Sequence, residues 1–164
     1  MIYIGLGANL ESLEYGLPAQ TLDAAMAKLD NHKVHIVRRS SIYRSRPIPD
    51  RGQPWFCNAV VAVKTERPPA ELLALLHQIE AAFGRVRRVR WEDRVIDLDL
   101  LAYDDLVSPG GPGAPVLPHP RLSERAFVLR PLAEIAPDWH HPATGEPIAR
   151  LLAALDPAQT VERL

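Results

Sequence analysis

Cysteine is almost absent from this chain. Cys57 stands alone, which excludes an internal disulfide and a cysteine-rich metal site. Charge of one sign is also lacking. The formal net charge is −1, so no global basic field draws nucleic acid, and any phosphate binding must come from a local cluster. No apolar run approaches the length of a membrane span. Met1-Ile2-Tyr3-Ile4 enters a strand pattern directly, without the charged leader and apolar stretch of a signal peptide. A cytoplasmic protein with no nucleic-acid or membrane partner is expected. A complete nucleotide loop is missing too. Gly5 and Gly7 fill two positions of G-x-G-x-x-G, but Leu10 holds the third, and no Gly-Lys-Ser/Thr follows. The glycines are expected to form a tight turn where backbone approaches backbone.

What is present fits one α+β domain. The 164 residues are 47% hydrophobic and 24% charged, ordinary values for a chain with its own core. Strands are expected at 2–6, 34–43, 56–65 and 94–103, where β-branched and aromatic residues concentrate. Helices are expected at 18–29, with Leu22, Ala25, Met26 and Leu29 inward, and at 69–83, with Leu72, Leu73, Leu76, Ile79 and Phe83 inward. Further helices are expected at 126–136 and 148–155, and a last strand at 161–164. Two segments rich in proline and glycine, 45–54 and 104–120, read as irregular loops. The order strand, helix, strand, strand, helix, strand is that of a ferredoxin-like βαββαβ sandwich with an antiparallel central sheet and additional C-terminal helices.

The strand at 94–103 carries the chemistry. Residues alternate faces along a strand, so Asp97 and Asp99 point the same way. Two carboxylates so close on an apolar strand repel each other and lose hydration. A hard divalent ion shared with substrate phosphates would offset both effects, although the pair could also be two solvated side chains on an edge strand. The preceding run, 85–94, holds five arginines and Trp91. Arginines bind phosphate bidentately, and an indole offers a flat stacking face. A triphosphate-plus-metal site is the better reading of the two together. On the strand at 56–65, Phe56 and Asn58 share a face and could stack on and hydrogen-bond a flat ring; a core phenylalanine and a capping asparagine are the alternative.

The fold brings these pieces together. With the first strand between the third and fourth, Gly5, Gly7, Phe56, Asn58, Asp97, Asp99 and Ser45 converge at one end of the sheet.

Five motifs then carry a family resemblance over nearly the whole chain: Tyr3-Ile4-Gly5-Leu6-Gly7-Ala8-Asn9-Leu10, Ser40-Ser41-Ile42-Tyr43-Arg44-Ser45, Gln53-Pro54-Trp55-Phe56-Cys57-Asn58, Arg94-Val95-Ile96-Asp97-Leu98-Asp99-Leu100-Leu101 and Leu117-Pro118-His119-Pro120-Arg121. The chain resembles the 6-hydroxymethyl-7,8-dihydropterin pyrophosphokinases of folate biosynthesis. The resemblance implies a single pyrophosphokinase domain over 1–164, acting as a monomer. It implies transfer of the pyrophosphoryl group of ATP to the pterin hydroxymethyl group, with release of AMP. By the same resemblance, Asp97 and Asp99 would hold two Mg²⁺ ions, and Arg85 and Arg94 would be catalytic. Glu80, Arg87, Trp91, His119 and Arg125 would contact ATP. Phe56 and Phe127 would sandwich the pterin, while Asn58 and the backbone near Ser45 and Ile48 would bond its edge. Three features depart from the family pattern. Glu92-Asp93 replaces the usual Gly-Pro, the 85–94 loop is one residue shorter than in some members, and His77 stands where a glutamine is usual. Two rivals are a different Mg²⁺-dependent transferase and an RNA-binding module of the same strand order. The latter lacks its aromatic signature here, and paired aspartates would repel RNA.

Overall fold

The computed structural model describes residues 1–47, 49–84 and 95–164. The elements in order are β1 (Ile2–Ala8), α1 (Pro18–Asn31), β2 (His35–Arg39), β3 (Tyr43–Ser45), β4 (Phe56–Lys64), α2 (Pro69–Ala82), β5 (Asp97–Tyr103), β6 (Ser108–Gly111), β7 (Ala114–Leu117), α3 (Ala126–Ile135), α4 (Ile148–Ala153) and β8 (Val161–Arg163). The main sheet runs β5-β1-β4-β3-β8, with β2 also paired to β4. Every pairing within it is antiparallel. The first strand therefore lies between β4 and β5, the arrangement that the element order implies.

Alternation sorts the apolar residues of the sheet onto two faces. Ile2, Ile4, Leu6, Ala59, Val61, Val63, Leu98 and Leu100 bury against α1 and α2. Val60, Ala62 and Leu101 bury against α3 and α4. The result is a helix–sheet–helix sandwich. Among the residues of α2, Leu75 is buried, whereas Leu73, expected inward, is only half-buried. Gly84 ends that helix at φ +86°, a conformation that glycine adopts without steric cost.

Three expectations need correction. The strand expected at 34–43 is broken into β2 and β3. Ser40 makes the break: its N–H donates to the Val60 carbonyl at 2.9 Å and its Oγ accepts from the Val60 N–H at 3.0 Å. A serine side chain thus replaces a main-chain partner, which lets the chain kink. The segment 104–120 is not wholly irregular, since β6 and β7 form a hairpin. Its turn uses Gly113 at φ +73°. Gly5 and Gly7 lie inside β1, not in a turn.

β5 is the terminal strand of the sheet, yet two of its outward backbone groups are occupied. Glu80 of α2 accepts the Leu98 N–H at 2.9 Å, and His119 donates its own N–H to the Leu101 carbonyl at 2.8 Å.

Candidate active site

Strand register assembles the site. Asp97 of β5 lies opposite Gly7 of β1, and Gly7 lies opposite Asn58 of β4. Residues directly opposite in antiparallel pairs share a face. One row across three strands therefore reads Asp97, Gly7, Asn58. The next row reads Asp99, Gly5, Val60. Both carboxylates are on the face toward α3 and α4, because the alternate residues Leu98 and Leu100 go to the other core. The two glycines leave a bare backbone floor between the carboxylates and the amide. That floor spans two strand spacings, roughly 10 Å from Asp97 to Asn58. A Cβ on Gly7 would come within 3.0 Å of Asn58 Nδ2, so the amide hangs over the glycine.

The amide end of the floor is firmly held. Asn58 is 5% exposed and Ser45 3% exposed. Ser45 Oγ donates to Asn58 Oδ1 at 2.6 Å, which orients the amide and turns Nδ2 toward the floor. Phe56 pairs in register with Ser45 and is half-buried. Asn9, at the exit of β1, donates from Nδ2 to the Pro54 carbonyl at 3.2 Å, tying the loop ahead of Phe56 to the end of β1. Asn9 stands in the Tyr3–Leu10 motif, and no local pattern in the sequence assigns it this tie.

The carboxylate end is flanked by Arg125 and His119. Arg125 Nη1 lies 3.9 Å from Asp99 Oδ2, and its guanidinium sits 5.5 Å from the centre of the Phe127 ring. His119 follows a cis Leu117–Pro118 bond. Its Nδ1 accepts the Arg121 N–H at 3.2 Å, which puts the ring proton of the neutral form on Nε2. Burial pushes the His119 pKa down to about 4; the cation of Arg125 and, less, Arg121 press the same way, and the nearby Asp97 opposes them. At neutral pH His119 is an uncharged hydrogen-bond donor.

The structure thus brings together Asp97, Asp99, His119 and Arg125 at one end of the floor, and Ser45, Phe56 and Asn58 at the other, with Phe127 beside Arg125. Glu80 is 2% exposed and its carboxylate accepts the Leu98 N–H, so it also supports the Asp97–Asp99 strand. Ile48, Arg85, Arg87, Trp91 and Arg94 lie outside the described residues. His77 is exposed on α2. Cys57 faces the α1 side, and burial raises its thiol pKa, with Arg44 opposing.

The fold is a ferredoxin-like α+β sandwich with a carboxylate pair on the sheet face toward α3 and α4. A family model described as 7,8-dihydro-6-hydroxymethylpterin-pyrophosphokinase (HPPK) matches residues 3–137, and the chain belongs to that family. It is 46% identical over 157 residues to the 2-amino-4-hydroxy-6-hydroxymethyldihydropteridine pyrophosphokinase of Methylorubrum extorquens, covering 95% of this chain and 94% of that one. It is 38% identical to the protein of the same name from Pseudomonas aeruginosa, covering 99% and 96%. A crystal structure of Plasmodium falciparum HPPK-DHPS A437G superposes with a TM-score of 0.72 at 13% identity. The superposition covers 93% of this chain and 44% of the larger one, and it speaks for the fold alone.

Proposed function

We propose that the chain transfers the pyrophosphoryl group of ATP to the hydroxymethyl group of 6-hydroxymethyl-7,8-dihydropterin, releasing AMP, as a Mg²⁺-dependent step of folate biosynthesis. The observation that carries this reading is the single row Asp97–Gly7–Asn58, which sets a carboxylate and a ring-recognising amide at opposite ends of one floor. Family membership supports it.

The donor set fits magnesium. Two carboxylates share a face, and among the described residues no group of three or more His, Cys, Asp and Glu side chains gathers. Mg²⁺ commonly takes one or two carboxylates and fills its other positions with water and phosphate oxygens. Asp97 and Asp99 would hold two such ions, whose bound form supplies charge neutralisation and polarisation of the phosphorus. Arg125 and the Nε2–H of His119 bind phosphate oxygens beside the carboxylates. Neither serves as a base, since the arginine is always charged and the His119 lone pair is engaged by the Arg121 N–H. Arg85 and Arg94 are assigned to the transferring phosphates, and Arg87 and Trp91 to the rest of ATP. Phe56 and Phe127 take opposite faces of the pterin. Asn58 Nδ2 and the backbone near Ser45 and Ile48 take its edge. Such a site works by positioning and by charge stabilisation.

Among the described residues no helix is long and apolar enough to cross a membrane. A cytoplasmic monomer over 1–164, free of nucleic acid, completes the proposal. The deciding experiment incubates the protein with ATP, Mg²⁺ and hydroxymethyldihydropterin. AMP formed in step with pterin consumption supports the reading. ADP or free pyrophosphate as the nucleotide-derived product points to a different transferase.

A further inference from the structure

Residues 138–164 lie beyond the stretch that the family model matches. The last of them are tied to both walls of the site. On the Ser45 side, β8 pairs with β3, with Val161 opposite Ser45 and Arg163 opposite Tyr43. The Arg46 N–H donates to the Thr160 carbonyl at 3.2 Å, and the Leu164 N–H to the Ile42 carbonyl at 2.9 Å. On the Phe127 side a single side chain makes the link. Gln159 Oε1 accepts the Ala126 N–H at 2.9 Å, and Gln159 Nε2 donates to the Glu124 carbonyl at 2.8 Å.

Those two backbone groups flank Arg125. Arg125 precedes α3 at φ −109° and ψ 110°, outside helical geometry. The Ala126 N–H is therefore a first-turn donor with no partner inside the helix, and Gln159 supplies one. Gln159 is itself set by a turn, since its N–H donates to the Asp156 carbonyl at 3.2 Å and Asp156 Oδ1 accepts the Ala158 N–H at 2.9 Å. From this clamped backbone Arg125 reaches Asp99, and Phe127 follows as the second residue of α3.

We propose that Gln159 is a positioning residue for the pterin slot. The segment from Gln159 to β8 is a strut. It fixes the Phe127 wall relative to the Ser45–Asn58 wall and so sets the width between them. This rests on the functional reading above. A ring held between two aromatic faces needs a gap of two contact distances, roughly 7 Å, and widening by about 1 Å forfeits much of that dispersion. A strut that fixes the gap therefore acts on pterin affinity more than on global stability.

The test uses the full chain with Gln159→Ala and Gln159→Glu. Hydroxymethyldihydropterin is titrated by its own fluorescence in the presence of Mg²⁺ and a non-hydrolysable ATP analogue, and thermal melting is recorded in parallel. A loosened Phe127 wall that forfeits part of the stacking contact predicts pterin binding about five- to tenfold weaker in Q159A. The melting midpoint should fall by only about 2–6 °C, the worth of two hydrogen bonds in a chain of this length. Q159E keeps the acceptor for the Ala126 N–H and adds a charge favourable at a helix start, so its affinity should return to within about twofold of the unaltered chain. Backbone hydrogen exchange at Ala126 should accelerate in Q159A and slow again in Q159E. Unchanged affinity in Q159A overturns the proposal, and so does a loss that Q159E shares in full. An unaltered chain that binds no pterin brings down the functional reading, and this inference with it.

Discussion

Ser45 Oγ donates to Asn58 Oδ1 at 2.6 Å, and both residues are buried where β3 meets β4. The hydroxyl decides which end of the Asn58 amide faces the floor. Ser45→Ala frees the amide to rotate and leaves a buried carbonyl without its donor. Pterin affinity should fall by roughly fivefold to tenfold, the worth of about one buried hydrogen bond, while MgATP affinity stays put. Ser45→Thr should behave as the unaltered protein. Parallel titrations with both ligands check this, and an equal loss for both would refute the amide's specific role.

Gly7→Ala is the complementary probe. The added Cβ would stand 3.0 Å from Asn58 Nδ2, tighter than ordinary contact, with the Cys57 carbonyl 4.0 Å away on the same side. The amide must give way, and the floor rises between the two halves of the site. KM for the pterin should rise by about tenfold or more, since a displaced amide and a raised floor both act on the same ring. Gly5→Ala meets Leu101 side-chain carbons at 3.4 Å, an ordinary contact, and should be milder. Steady-state kinetics of the pair settles it. A G5A defect larger than that of G7A would mean that the floor does not seat the ring at Asn58.

Asp97→Asn and Asp99→Asn keep shape and remove charge. Each should lower turnover roughly 100-fold or more, because the neutralisation of phosphate charge is lost. Each should also weaken Mg²⁺ binding measured by calorimetry with an ATP analogue. Asp99 faces Arg125 at 3.9 Å, so D99N also removes a partner of that cation. Near-normal turnover in either variant would take the pair out of the chemistry.

His119 should stay neutral throughout the physiological range. Its folded pKa of about 4 lies below the ordinary 6.5, so the folded state resists a proton that the unfolded chain accepts. The stability it contributes is present above pH 6.5 and is lost as pH falls from there toward 4. Nitrogen-15 chemical shifts of the metal-free protein should report the Nε2–H tautomer and a midpoint below pH 5. A midpoint near 6.5 would show an exposed, freely titrating ring.

Much of this was legible before any coordinates. The order of periodic segments implied the sheet, and the alternation along 94–103 put Asp97 and Asp99 on one face. Asn58 and Phe56 followed from the same period on β4. What escaped were features that depend on side chains replacing backbone partners. Nothing local marks Ser40 as the residue that breaks a strand, because its bonds run to Val60 twenty residues away. The resemblance placed Glu80 at ATP, and nothing local shows that its carboxylate also meets the Leu98 N–H. Its burial follows from where α2 crosses β5, a tertiary fact. Gln159 reaches a helix start 33 residues earlier, and no periodicity announces such a pair.

Glu80 has a wider consequence. A terminal strand presents unpaired N–H and C=O groups that can recruit a strand from another molecule. On β5 the carboxylate of Glu80 occupies the Leu98 N–H and the His119 amide occupies the Leu101 carbonyl, so the ladder is blocked near its middle. Leu100, Leu101, Ala102 and Tyr103 form a short apolar stretch beside Asp99 on that strand, suited to pairing with another strand if the edge were open. The helix that supports the carboxylate strand is thus also its guard against aggregation. Removing the Glu80 carboxylate would free the Leu98 N–H for a strand from another molecule.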